Sequence, residues 1–171
     1  LGACPGQVEN DALPQRPFAG QSGRNLVPLL TVLNAIPENH IDGLRAEDFP
    51  SIRPDDYTLM NSHPESKWRG RDRRSTPRMS EVRNPMNIQR LSNQLQAMNA
   101  RVVIGLGRPL ADADLQRAAK DSGPLRAIRL LTPRFERVAF FVVGHPSPVA
   151  INIHGNADAE LWFRNGLHGF P

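Results

Sequence analysis

Polar side chains of two kinds follow apolar runs of this chain, at the points where predicted strands end. His145 follows the run VAFFVVG, and Asn61 follows YTLM. An imidazole N–H can donate a hydrogen bond to negative charge that develops during a reaction. A carboxamide carries both a donor and an acceptor, so it can read the edge of a flat heterocycle. The prolines in HPSP restrict the backbone after the histidine, which indicates a rigid, preorganised site.

The turn GACPGQVEN near the start of the chain supplies further candidates for chemistry. Backbone N–H groups around Ala3 to Gly6 can form a nest of hydrogen-bond donors. Glu9 can orient a water molecule and accept its proton, whereas Gln7 can position water only by hydrogen bonding. Both residues are candidates for directing water, and Glu9 is the first choice.

The elements that must position these groups alternate along the chain. Short apolar runs predict buried strands in DYTLMN (core 57–61), RVVIGLG (101–107) and RVAFFVVG (137–144). Helical patterns occupy 23–35, 84–98, 110–119 and 157–166, with Pro28 in the first turn or at a kink, Asn84 as an N-cap and Gly166 at an end. This alternation predicts an α/β fold, a three-layer α/β/α sandwich with a central, mainly parallel four-stranded sheet. Ligands of such sheets collect at the carboxyl ends of the strands.

Composition limits the class of protein. The 171 residues are 39% hydrophobic and 22% charged, which predicts one globular domain over 1–171. No apolar run reaches the length of a membrane span, so we expect no membrane partner and a cytoplasmic location. The single cysteine, Cys4, excludes an internal disulfide and an all-cysteine cluster, and the histidine spacing predicts no metal site.

The segment 67–78, KWRGRDRRSTPR, contains six basic residues against one acid and has no apolar periodicity. It is predicted to be an exposed basic loop within the domain. The net charge of +4 and the pI near 10.2 favour a polyanionic partner. We expect Arg69, Arg71, Arg73 and Arg74 to contact phosphates, the alternative being a solvated charge cluster.

The order of these motifs resembles that of the uracil-DNA glycosylase superfamily. The resemblance rests on GACPGQVENDALPQRPFAGQSG (2–23), YTLMN (57–61), RGRDRRSTPRMSEV (69–82) and GHPSP (144–148), so it spans nearly the whole chain. It is closest to the fourth-family type and to the related branch that captures DNA covalently. The resemblance implies a monofunctional DNA repair enzyme that hydrolyses the N-glycosidic bond of uracil in DNA. Its expected partners are uracil-containing DNA and the abasic product, and it is expected to be a monomer in the bacterial cytoplasm, associated with the nucleoid when on DNA.

The resemblance also assigns roles to individual residues. It points His145 at uracil O2 and lets Asn61 read the O4 and N3–H edge. Phe18 would stack on the flipped base. The remaining substrate-binding residues would be Ala3, Cys4, Gly6 and Ser147. An apolar side chain would replace the flipped base in the stack, with Val149 and Ile151 as the alternatives.

Some positions depart from the family pattern. Ala3 stands where an acid normally follows the first glycine, and Cys4 replaces a small residue. The cysteines that would hold the fourth family's iron-sulfur cluster are missing, so no cofactor is expected. Positions 71–76 lack the histidine used for covalent capture, so covalent capture is not expected, while the arginines are predicted to slow product release.

These departures leave two alternative functions. With Ala3 in place of the acid, the chain could bind uracil or abasic DNA and turn over poorly. An acyl hydrolase using Ser147 is the other alternative, although Ser147 lacks the glycine-flanked turn that exposes such nucleophiles.

Overall fold

The computed structural model describes residues 1–13, 17–38, 40–107, 123–154 and 157–169. Its helices are α1 (Gln7–Asp11), α2 (Gln21–Arg24), α3 (Leu26–Asn34), α4 (Arg69–Asp72), α5 (Met79–Arg83), α6 (Pro85–Met98), α7 (Gly123–Leu131), α8 (Pro148–His154) and α9 (Ala159–Gly166). Its strands are β1 (Val102–Gly107), β2 (Ala139–Gly144) and β3 (His168–Gly169), and single 3-10 turns occupy Ala46–Asp48, Pro54–Asp56 and Thr132–Arg134. The helix predicted at 110–119 lies outside the described residues.

The strands form a mixed sheet in the order β1-β2-β3. β1 and β2 are parallel, in a register from Val102 opposite Ala139 to Gly107 opposite Gly144. The short β3 pairs with β2 in the antiparallel direction. Both predicted strands at 101–107 and 137–144 are therefore confirmed, and their carboxyl ends lie side by side.

The fourth strand of the predicted sheet is not confirmed among the described residues, because DYTLMN does not form a strand. Its one ladder contact is an isolated parallel bridge between Asn61 and Gly2. Gly2 N donates to Met60 O at 2.7 Å, and Leu106 N of β1 donates to Leu1 O at 2.9 Å, so the extended segments do continue the sheet's hydrogen bonding. The next residues leave this pattern, because His63 N donates a hydrogen bond to Ala3 O. The pairing between the two extended segments ends there.

Helices cover both faces of the sheet, as the three-layer prediction requires. One core cluster joins α3 and α9 to Phe141 and Val143 of β2. The other joins α5, α6 and α7 to Phe140 and Val142 of the same strand. Successive strand side chains thus enter opposite cores, which explains why the run is continuously apolar.

The helix ends in the structure agree with the capping signals predicted from the sequence. The Asn84 side chain accepts a hydrogen bond from Met86 N at 2.9 Å, with Pro85 as the first helical residue. Pro28 lies in the first turn of α3. Helix α9 ends at Gly166, as predicted, and Asp158 caps its start.

Candidate active site

A cleft of about 790 Å³ opens at the carboxyl ends of β1 and β2. Its lining includes most residues predicted to do chemistry, although they come from distant parts of the chain: Ala3, Cys4, Gly6, Glu9, Phe18, Asn61, His145 and Ser147. Gln7 is exposed on α1 and does not line this cleft. The structure therefore brings together the candidates for base recognition and separates Gln7 from them.

The His145 imidazole has a defined hydrogen-bonding pattern. Ser147 N donates to His145 Nδ1 at 3.1 Å. In the neutral ring the proton then belongs on Nε2, which remains a donor. Burial lowers the pKa of His145, because it disfavours the charged imidazolium. The side chain is a neutral hydrogen-bond donor at neutral pH.

The loop that carries His145 is held from two helical elements. Trp162 Nε1 donates to His145 O at 3.2 Å, and Asn25 Nδ2 donates to Pro146 O at 2.7 Å. A Cβ atom at Gly144 would lie 2.4 Å from Trp162 Cε2, so only glycine permits this contact. The backbone is thus fixed by packing and hydrogen bonds as well as by the prolines.

Ser147 is the N-cap of α8. Its Oγ accepts a hydrogen bond from Ala150 N at 3.2 Å, and its carbonyl accepts one from Ile151 N. These are ordinary capping bonds that position the start of a helix. They account for Ser147 without a nucleophilic role.

The structure separates the two candidates for the residue that replaces the flipped base. Ile151 is 4% exposed and belongs to the core cluster with α3 and α9, so its predicted DNA contact is wrong. A side chain that fills the core cannot leave it without creating a cavity. Val149, on the outer side of α8, is 67% exposed and is the remaining candidate.

The side chains of Phe18 and Asn61 both pack against Gly2. A Cβ atom at Gly2 would lie 2.5 Å from Phe18 Cζ and 2.6 Å from Asn61 Oδ1, so a side chain there would displace both. Asn61 is buried, and its amide makes no hydrogen bond to any residue that the structure describes. An aromatic ring and an unpaired amide thus border the same part of the cleft, which suits a flat polar ligand.

Glu9 has contacts that the sequence did not reveal. One carboxylate oxygen accepts from Gly6 N, and the other accepts from Phe18 N at 2.8 Å. Phe18 adopts a left-handed backbone, with φ of 59°, which is rare for an aromatic residue. Glu9 therefore holds the Phe18 backbone in place, and the Gly6 N–H predicted to be a free donor is occupied.

The basic segment 67–78, hereafter the strap, borders the cleft and differs from the predicted loop. It contains the one-turn helix α4, and Lys67 is buried. Lys67 N donates to Pro5 O at 2.9 Å, and Cys4 Sγ donates to Ser75 O at 3.7 Å. Burial, with a contribution from Glu9, raises the pKa of the Cys4 thiol to about 11. The strap is thus docked on the first turn of the chain.

Acids from outside the strap compensate part of its charge. Lys67 Nζ lies 3.1 Å from Glu65 and 3.3 Å from Glu81, and Arg74 lies 2.7 Å from Glu81. Burial alone would lower the pKa of Lys67, but the hydrogen bonds to these carboxylates outweigh it and raise the pKa. Lys67 stays charged at neutral pH.

The predicted phosphate contacts of the strap divide into two groups. Arg74 is paired with Glu81, and Arg71 pairs with Asp72 at 3.0 Å while its guanidinium stacks 3.9 Å from the Trp68 ring centroid. Arg69 and Arg73 are exposed and form no ion pair with the described residues. These two are the better placed to meet a polyanion.

Lys67 and Trp68 line the cleft, and sequence reasoning did not single them out. Both lie inside the segment read as a charged loop. The adjacent Trp68 was the available signal, because tryptophan side chains are highly buried on average and one in a charged segment indicates a packing role.

The described residues contain no group of three or more metal-binding side chains. Within the same part of the chain, no helix is long and apolar enough to cross a membrane.

Comparison with known proteins gives one result. The family model described as the uracil DNA glycosylase superfamily matches residues 1–165. Among curated proteins and among solved structures, none matches significantly.

Proposed function

The chain belongs to the uracil-DNA glycosylase superfamily, and we propose that it is a monofunctional enzyme that excises uracil from DNA and leaves an abasic site. Membership supports glycosylase activity on DNA in general. Uracil as the base is our inference from the side chains of the cleft.

The observation that carries this proposal is the meeting of Phe18, Asn61 and neutral His145 in one cleft. A base turned out of the helix needs an aromatic surface and partners for its edge. The Asn61 amide can donate to uracil O4 and accept from N3–H, whereas cytosine presents the opposite pattern at these positions. This set of groups favours uracil over cytosine, which carries an amino group in place of O4.

Cleavage of the bond between C1′ and N1 leaves the electron pair on the base and cationic character on the sugar. His145 Nε2–H can stabilise the negative charge on uracil O2. Water then adds its hydroxyl to C1′, and its proton ends on the departing uracil. Glu9 is the candidate for orienting that water, since it is the carboxylate among the described lining residues.

A labelled oligonucleotide with a single uracil tests the proposal. Uracil is placed opposite guanine, opposite adenine and in a single strand, and abasic sites are revealed by alkali. We expect multiple turnovers, and a loss of about 10²–10³-fold in His145→Ala. Arg137→Ala serves as the control, because Arg137 is exposed and does not line the cleft. Absence of alkali-labile product from all three substrates would overturn the proposal.

A second candidate function is a damage-binding protein with poor turnover. It is favoured by Ala3, which supplies no carboxylate, and by Glu9, whose two oxygens already accept backbone hydrogen bonds. A burst of product equal to the protein concentration, followed by a stall, would support this candidate over the first.

A further inference from the structure

We propose that Arg90 is a positioning residue that orients Asn61 for reading the base. This inference rests on the proposed function, because it concerns the same base-recognition site. Arg90 lies on α6, outside the residues that line the cleft.

Arg90 acts on the backbone of Asn61. Its Nη2 donates to Asn61 O at 3.0 Å. The same guanidinium donates through Nε and Nη2 to Asn87 Oδ1, at 3.2 and 2.9 Å. Asn87 Nδ2 in turn donates to Ser62 O at 2.8 Å. Two successive carbonyls after the strand-like segment are therefore held by side chains one turn apart on a single helix.

The position of the Asn61 amide depends on this backbone. The amide has no hydrogen bond to the described residues that would fix it directly. On the other side, Ser62 N donates to Gly2 O at 2.8 Å, so the peptide after Asn61 is held between Gly2 and Arg90. Loss of the Arg90 contact frees the carbonyl side of this peptide, and the side chain moves with it.

The chemistry of the contact requires a guanidinium. Arg90 is half-buried, and its planar fork bonds Asn61 O and Asn87 Oδ1 together. A lysine ammonium is a single point on a flexible stem and does not reproduce a fixed fork. Burial also lowers the pKa of Arg90, in keeping with a group removed from water for its contacts.

The test is a double-mutant cycle on single-turnover uracil excision, with protein in excess of DNA. The variants are Arg90→Met, Arg90→Lys, Asn61→Ala and the double variant Arg90→Met/Asn61→Ala. Arg134→Met is the matched control, since Arg134 is exposed and does not line the cleft. Thermal melting and binding of DNA with an abasic analogue are measured for each protein.

We expect Arg90→Met to slow excision about 10–100-fold, as for a displaced catalytic group, with abasic-DNA affinity unchanged within about threefold. Arg90→Lys should lie between this variant and the wild type. In the Asn61→Ala background, Arg90→Met should cost less than about threefold more. If Arg90→Met does not fold, the same cycle with Arg90→Lys decides.

Independent effects of the two substitutions would overturn the positioning role while leaving the glycosylase intact. An equal loss of abasic-DNA affinity would also overturn it, because that is general destabilisation of the site. Failure of the wild type to excise uracil is a different result, which overturns the proposed function and this inference with it.

Discussion

Among single residues, His145 combines a fixed tautomer with a lowered pKa. Ser147 N occupies Nδ1, and burial disfavours the imidazolium. Protonation of Nδ1 would place two donors face to face. The proton state that suits donation from Nε2 is therefore the state that the fold stabilises.

The pH dependence of stability follows from this lowered pKa. Below about pH 6.5 the unfolded chain binds a proton at this position that the folded chain does not. The contribution of His145 to the free energy of unfolding is therefore complete above about pH 6.5. It is lost as the pH falls through the lowered pKa that His145 has in the folded chain. As the pH is lowered below about 6.5, we expect the free energy of unfolding, measured by urea denaturation, to decrease less in His145→Gln than in the wild type. Parallel curves would contradict the assignment.

Glu9 is expected to contribute to stability as well as to catalysis. Glu9→Gln keeps one carbonyl oxygen for the amides of Gly6 and Phe18 and loses a charge-assisted bond. The free energy of unfolding should fall by about 1–3 kcal/mol, measured by urea denaturation. Asp11→Asn, on the same helix, is the matched control and should leave stability nearly unchanged. Equal stability of Glu9→Gln and wild type would show that these amide bonds add nothing.

At the scale of elements, helix α2 packs closely against the Phe18 backbone because residue 23 is a glycine. A Cβ atom there would lie 1.7 Å from Phe18 O, whereas one at Gly20 would meet Val8 Cγ1 at an ordinary 3.5 Å. We expect Gly23→Ala to lower the free energy of unfolding by about 1–3 kcal/mol and to slow excision, because Phe18 must shift. Gly20→Ala, the control, should be tolerated. Equal effects in the two variants would argue against this close approach.

Elements with local signals could be predicted from sequence. The continuous apolar runs gave β1 and β2, and the Asn84–Pro85 pair gave the start of α6. The run at 57–61 is also rich in apolar residues, but strand formation there depends on a partner from residues far away in the chain. Only the bridge to Gly2 forms. The composition of a segment therefore does not show whether another strand will pair with it.

The candidate site shows the same division. The side chains proposed to contact the base belong to short motifs, so His145 and Asn61 could be found in the sequence. Their supports, Trp162 and Arg90, lie on helices 17 and 29 positions away, and no local pattern connects them. Likewise, the acid that compensates Lys67 and Arg74 is Glu81, beyond the strap.

At the scale of the whole molecule, we expect the response of DNA binding to salt to depend on the two strap arginines that form no ion pair with the described residues. Arg69 and Arg73 are exposed, whereas Arg74 is paired with Glu81. We expect Arg69→Gln/Arg73→Gln to reduce the slope of log affinity against log salt by about 1.8 on duplex DNA, or about 0.9 per phosphate contact. Fluorescence anisotropy between low and moderate salt measures this slope.

The matched control is Arg134→Gln/Arg137→Gln, which removes the same charge from exposed positions outside the cleft. It should lower affinity slightly and leave the slope nearly unchanged. Equal slopes for both double variants would show that the strap does not contact phosphates.

Cys4, which joins the first turn of the chain to the strap, is a natural chemical probe of the cleft. Burial raises the pKa of the Cys4 thiol to about 11, so the thiolate is a minor form at pH 8, and the thiol contacts Ser75 O of the strap. Cys4 lines the cleft, so a reagent reaches the thiol from the side that DNA is proposed to occupy. The rate of labelling by a maleimide therefore reports access to the cleft, and bound DNA is expected to slow it.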